Sequence, residues 1–479
     1  MTRMPDSREG ARHGHSGEVS VSTDLARWQF ATTSIYHFLF VPVTIGLAFL
    51  VALLETAWCR TDDEEYRRLT RFFGVLLLIN VAIGVVTGLV QEFEFGMNWS
   101  VYSAYVGNVF GGPLAMEGLV AFFLESTFLG VWIFGWRLLP RPVHLAAIWA
   151  VSVGSVLSAA FIMAANSWMQ HPVGYKLVNG KPQLDDVWAL FTNPVFLWGY
   201  THVVLASLVT GSLVMLSVSA WHLRRRSHAD AFRRTATVSI VVLFPAIILT
   251  LVVGSHLGVI ETTYQPMKIA AAEAQWSNCQ PCSFSAFQIG GGNQDQTPTQ
   301  IIEIPHLLSL LATGTWNGAV EGLNPLNAQY QRLYGPGEYV PNVFIQYWSM
   351  RVMAYLGSLV LLLAAWGGWL VHRRRLERAR AFLFVATWAV VAPFLMNTAG
   401  WLLTESGRQP WIVQGLLKTA QAPSPNVTTT DLAISLAAFV SIYLVLGATD
   451  GFLMLRFGRR ELDRDIEDTE PDDGPALAY

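Results

Sequence analysis

Nine long apolar runs alternate with polar connections along the 479 residues of the chain. A hydrocarbon core about 30 Å thick needs about 20 apolar residues of helix, so each run predicts one membrane-spanning helix. The runs begin near Phe30, Phe72, Gly111, Val143, Pro194, Ala236, Val343, Ala381 and Asp431. The connections are short except one. Residues 260–342 are polar and rich in Gly, Gln, Asn and Pro, and a connection that long predicts a substrate-handling region between the sixth and seventh spans. The pattern divides the chain into a polar head expected to be disordered (1–27), six spans (28–259), the long loop (260–342), three spans (343–457) and a tail (458–479). The head lacks an apolar core, so it does not read as a cleaved export signal.

Composition agrees with this pattern. Hydrophobic residues make up 52% of the chain and charged ones 14%, against about 25% charged in soluble domains. Mean hydropathy is +0.38. The fold class expected is an all-α integral membrane protein. Alternate connections, among them "RTDDEEYRRLTR", "LRRRSHADAFRR" and "HRRRLERAR", hold 20 of the 31 basic residues. Basic loops stay in the cytoplasm, which predicts an N-terminus and long loop outside and a C-terminus inside. A net charge of −3 offers no basic track for a nucleic-acid partner.

Charged and ligating side chains inside spans are costly and point to function. "SIYHFLFVP" places His37, and "GYTHVVLAS" places His202, about two turns below the outer ends of the first and fifth spans. The seventh span carries Arg351 and Met353 in "YWSMRVMAY", and the eighth ends in Glu405. A lone buried histidine is more often core than ligand, but imidazoles, a thioether and a carboxylate at one depth suit haem iron. "CQPC" is followed by Ser283, not His, so any haem is held non-covalently; Cys279 and Cys282 form either a disulfide or a plain surface pair. In the third span Glu117 and Glu125 are eight residues apart, about 80° and about 12 Å on an α-helix, a spacing that suits a proton relay. Asn166 and Ser158 in the fourth span are relay partners or ordinary interhelical bonds. In "QPMKIAAAEAQW", Lys268 and Glu273 either grip a quinol head group or form a solvated charged face.

The blocks "WQFATTSIYHFLFVPVTIGL", "NWSVYSAYVGNVFGGPLAMEGLVAFFLESTF", "MAANSWMQHPVG", "QPMKIAAAEAQW", "YWSMRVM" and "ESGRQPW" together closely resemble subunit I of the cytochrome bd-type quinol oxidases. The resemblance runs from Arg27 to about Trp411. It implies a respiratory enzyme of the bacterial inner membrane that oxidises menaquinol or ubiquinol and reduces dioxygen to water. It implies three haems: a low-spin haem b on His202 and Met353, and a high-spin haem b and a haem d, or a third haem b, on His37 and Glu405. It further implies quinol contacts at Lys268 and Glu273, proton or haem-edge roles for Glu117, Glu125 and Ser158, and haem-pocket roles for Arg27, Arg351, Trp401 and Arg408. A second large subunit, with or without small accessory subunits, is expected as partner.

Two features depart from the pattern. Many relatives have an acidic residue after the first glycine where this chain reads "GSHLG", so that role is absent or passes to His256. The loop is the short form. Three rivals are a cyanide-insensitive relative with haem b in place of haem d, a solute transporter and a partner subunit without cofactors. A transporter predicts inverted repeats, and no repeat is visible in the sequence.

Overall fold

The computed structural model describes residues 8–462, with side chains from Ser22 onward. The head and tail expected over 1–27 and 458–479 lie partly outside this range. The first helix begins at Arg8, within the segment expected as the head.

Among the described residues nine helices are long and apolar enough to span a membrane. They are α1 (Arg8–Thr61), α2 (Glu64–Met97), α3 (Ser100–Phe134), α4 (Arg141–Gln170), α5 (Pro194–Arg225) and α6 (Ala229–Tyr264), then, after the loop, α10 (Val343–His372), α11 (Arg380–Gly407) and α12 (Thr429–Gly458). Short connections alternate the direction of the spans, so the loop lies on the side where α1 enters the bundle. That side is called the loop side here.

Local chemistry starts the helices. The Asn193 side chain accepts from Val195 N–H at 3.0 Å ahead of Pro194, and Asn342 accepts from Ile345 N–H at 3.0 Å. Thr428 and Asp431 form a reciprocal capping box at α12. Small residues set the closest helix contact. A Cβ on Gly46 of α1 would lie 2.2 Å from the Ser207 carbonyl of α5, so the two backbones touch there. Around this contact Leu47, Leu50, Phe73, Leu213, Phe232 and Leu243 form the main core. By contrast, α3 and α12 leave most of their apolar surface uncovered.

Helix α3 corrects one expectation. Residues Glu117–Phe122 form a π-helical turn, so the 80° offset of an unbroken α-helix does not relate Glu117 to Glu125. Helix α11 is also interrupted, between Trp388 and Val391, just ahead of Pro393.

The long loop has structure of its own. It contains helix α7 (Pro266–Ala272), the antiparallel hairpin β3 (Phe284–Ile289) and β4 (Thr299–Ile304), and helices α8 (Leu307–Thr313) and α9 (Leu323–Tyr334). Two smaller hairpins lie outside it, β1 (Tyr175–Val178) with β2 (Lys181–Leu184), and β5 (Trp411–Val413) with β6 (Leu417–Lys418). Asn179 and Gly180 both take positive φ at the β1–β2 turn, as a two-residue hairpin requires. Cys279 and Cys282 form a disulfide, which settles the alternative left open by the sequence.

Candidate functional site

Three of the four predicted iron ligands rest on a glycine of a neighbouring helix. A Cβ on Gly88 of α2 would stand 3.1 Å from the His37 ring, one on Gly254 of α6 would stand 2.9 Å from the His202 ring, and one on Gly400 of α11 would stand 3.5 Å from Met353 Sδ. The Thr87 hydroxyl donates to the Gly84 carbonyl at 2.9 Å, so its lone pair accepts from His37 Nδ1 at 3.0 Å. That bond puts the imidazole proton on Nδ1 and leaves Nε2 as an open ligand atom. His202 Nδ1 is buried with no hydrogen-bond partner among the described residues. Trp401 packs edge-on against Phe38 at 5.0 Å, which brings α11 beside α1 next to His37, and its Nε1 is likewise buried without a partner. A buried polar atom without a partner is rare and calls for an explanation.

The fourth predicted ligand, Glu405, is 29% exposed and ends α11 within a polar network. Arg408 Nη2 donates to Glu405 Oε2, and Asn166 Nδ2 donates to Glu405 Oε1 at 2.8 Å. Gln170 Nε2 donates to Asn166 Oδ1 at 2.8 Å, and Lys268 Nζ donates to Gln170 Oε1 at 2.6 Å. Lys268 also pairs with Glu261 Oε2 at 2.5 Å. A continuous row of polar groups therefore joins the loop lysine to the α11 carboxylate. Gly407 makes room for it, because a Cβ there would lie 2.5 Å from Lys268 Cγ. Arg408 is 3% exposed, and its Nε and Nη1 have no partner among the described residues. Beyond it Pro410 leads into β5, where Trp411 is buried between Tyr334 at 4.9 Å and Tyr339 at 5.9 Å and joins the loop to the bundle.

Lys268 and Glu273 are 3% and 6% exposed, which rules out a solvated charged face. They do not pair with each other. Arg351 Nη2 donates to Glu273 Oε2 at 2.7 Å and to the Ser285 carbonyl at 2.6 Å, and Arg351 Nη1 donates to the Ala272 carbonyl. Arg351, expected at a haem pocket, thus binds α10 to the loop. Glu273 Oε1 keeps only a 3.4 Å contact with the guanidinium. Burial raises the Glu273 carboxyl above its usual range, opposed by Arg351, and burial lowers the Lys268 ammonium, opposed by Glu261.

Of the remaining residues, Ser158 donates to Glu117 Oε1 at 2.7 Å across the π turn, while Glu125 is half-buried on the same helix. Arg27 is exposed and pairs with Asp24 at 3.3 Å. His256 is exposed, with its ring 4.0 Å from that of Trp198. Sequence reasoning passed over Glu261 and Gln170. Glu261 stood out only as a carboxylate in the last turn of a span, and Gln170 only as the residue four beyond Asn166.

Nine candidate spans among the described residues, predicted ligand atoms set singly on glycine seats and a structured loop define the class, a multi-pass membrane protein. The family model described as cytochrome bd terminal oxidase subunit I matches residues 25–462, so the chain belongs to that family. It is 42% identical to cytochrome bd ubiquinol oxidase subunit 1 of Bacillus subtilis over 92% of this chain and 94% of that protein. It is 37% identical to cytochrome bd-II ubiquinol oxidase subunit 1 of Escherichia coli, over 91% of this chain and 96% of that protein. The structure of bd oxidase from Geobacillus thermodenitrificans superposes with a TM-score of 0.84 at 28% identity, covering 92% of this chain and 98% of that one.

Members of the family carry haems, and the side chains fit them. Among the described residues no three His, Cys, Asp or Glu converge into a metal cage. Separate single ligands are what a metal needs when a macrocycle already supplies its equatorial donors. The unpartnered Trp401 Nε1 and Arg408 N–H groups suit the edge of a ring bearing carboxylates.

Proposed function

We propose that this chain is the haem-bearing, quinol-oxidising subunit of a terminal oxidase, and that the glycine seats under His37, His202 and Met353 carry that reading. His202 and Met353 hold a low-spin haem b. His37 and Glu405 hold the irons of a high-spin haem b and of haem d, or of a third haem b. When bound, these groups pass electrons one at a time and deliver them to dioxygen.

The chain's own residues handle binding and protons. Glu273 Oε1, held loosely by Arg351 and kept basic by burial, accepts the proton of a menaquinol or ubiquinol hydroxyl, and Lys268 orients the head group. Glu117, bonded to Ser158, and Glu125 carry protons toward the oxygen-reducing site. The basic connections on the opposite side support a loop that faces outside. Quinol protons then leave outside while those for water come from the cytoplasm, and charge separates without a pump. A second large subunit, with or without small accessory ones, completes the enzyme.

The test is the visible spectrum of the purified, dithionite-reduced protein. Haem b bands are expected, with a red chlorin band if haem d is present. Met353→Leu should turn the low-spin haem high-spin and abolish quinol oxidation. An unchanged low-spin spectrum removes this ligand assignment.

A further inference from the structure

The polar row from Lys268 to Glu405 joins two places that, on the functional reading above, treat protons oppositely. Two quinols release four protons and four electrons at the loop end. At the other end dioxygen takes up four electrons and four protons to give two waters. If the released protons ran along the row, the reaction would balance chemically and move no charge across the membrane. A continuous hydrogen-bonded row between the two sites is therefore a short circuit unless some member of it refuses protons.

The middle of the row is two carboxamides, and the groups at its ends fix their orientation. Lys268 Nζ only donates, so Gln170 must present Oε1 to it, at 2.6 Å. Gln170 Nε2 is then left to donate to Asn166 Oδ1 at 2.8 Å, and Asn166 Nδ2 to donate to Glu405 Oε1 at 2.8 Å. Every bond points one way, from cation to carboxylate. A primary carboxamide keeps both its N–H protons and takes up no third at ordinary pH, so a proton arriving from Lys268 has no acceptor it can pass through. Gln170 is also immobilised. It is 3% exposed, and its backbone carbonyl accepts from Gln265 Nε2 at 2.5 Å.

We propose that Gln170, backed by Asn166, is a proton insulator: it keeps the quinol end and the oxygen end hydrogen-bonded to each other while blocking proton transfer between them. The inference rests on the assignment of Lys268 to quinol and Glu405 to the oxygen site. Gln170 acts through its neighbours, as a positioning residue.

The decisive measurement is the number of protons released on the loop side per electron, taken together with oxygen consumption. It uses the complete oxidase in proteoliposomes fed a soluble ubiquinol analogue. Gln170→Glu combined with Asn166→Asp replaces both carboxamides with titratable groups and should lower the ratio at least about two-fold, because placed carboxyls are effective proton carriers. Gln170→Met removes the hydrogen bonds without adding a carrier and should keep the parent ratio at whatever turnover remains. An unchanged ratio in the Gln170→Glu, Asn166→Asp double variant with native haem bands overturns the proposal, as does an equal fall in Gln170→Met. Where that double variant does not assemble, Gln170→His combined with Asn166→Asp poses the same question, and an unchanged ratio there overturns it equally. Failure of the underlying reading shows separately, as unaltered haem bands in Glu405→Gln or an unaltered quinol KM in Lys268→Met.

Discussion

At the scale of single residues, the proposed ligand atoms depend on what is missing beside them. Gly254 leaves the 2.9 Å that the His202 ring fills, and Gly88 leaves 3.1 Å for His37. Gly254→Ala should displace the imidazole at a cost of about 1–3 kcal/mol, the usual range for overpacking. The expected outcome is an assembled protein whose low-spin haem band is shifted or lost. Gly111→Ala, where nothing lies within 4 Å, should leave the spectrum as it is. His37, His202, Met353 and Glu405 were legible in the sequence because a polar group inside an apolar run is conspicuous. The glycine seats were not, since nothing in a run of small residues says which one faces a ring from another helix.

At the scale of elements, α7 is held from two sides. Lys268 bonds to α4 through Gln170 and to α6 through Glu261, while Glu273 bonds to α10 through Arg351. Arg351 is 1% exposed, so Arg351→Met leaves the Glu273 carboxylate buried and unpaired. Removing one partner of a buried pair costs about 3–5 kcal/mol, and removing both costs far less. Hydrogen exchange should therefore speed up across Pro266–Ala272 and β3 in Arg351→Met, and slow again toward the parent rate when Glu273→Leu is added. The same β3 segment follows the Cys279–Cys282 disulfide by two residues, and its Ser285 carbonyl is one of the guanidinium's acceptors. Reduction of the disulfide in the folded oxidase should raise exchange at Phe284 and Ser285 more than at β4, which makes no bond to Arg351. Arg351 and Gln170 were not legible as partners of α7, because the bonds link residues 78 and 98 positions apart. The π turn in α3, where Glu117 accepts from Ser158 of α4, was not legible either.

At the scale of the whole molecule, the odd number of spans puts the loop and the C-terminal end of α12 on opposite faces. The basic connections support the proposal that the loop face is the outer one. In a Cys59→Ser background, Asn324→Cys on the exposed face of α9 should react with an impermeant thiol reagent on intact cells, whereas Thr61→Cys at the far end of α1 should react only after lysis. Reaction of both on intact cells, or of Thr61→Cys alone, would reverse the topology and with it the direction of proton release.

What the sequence determined by itself was the number and order of spans, and which side chains interrupt them as candidate ligands. These follow from a constraint each segment meets alone, since a lipid-embedded helix satisfies its backbone internally and shows every polar side chain as an exception. What only the tertiary structure decided was which exceptions touch. It separated Lys268 from Glu273, gave Arg351 to the loop, and placed Gln170 between a cation and a carboxylate. It also set Asn166 against Glu405, 239 residues away. Such contacts belong to the packing of several helices at once, and no local pattern in one of them encodes the others.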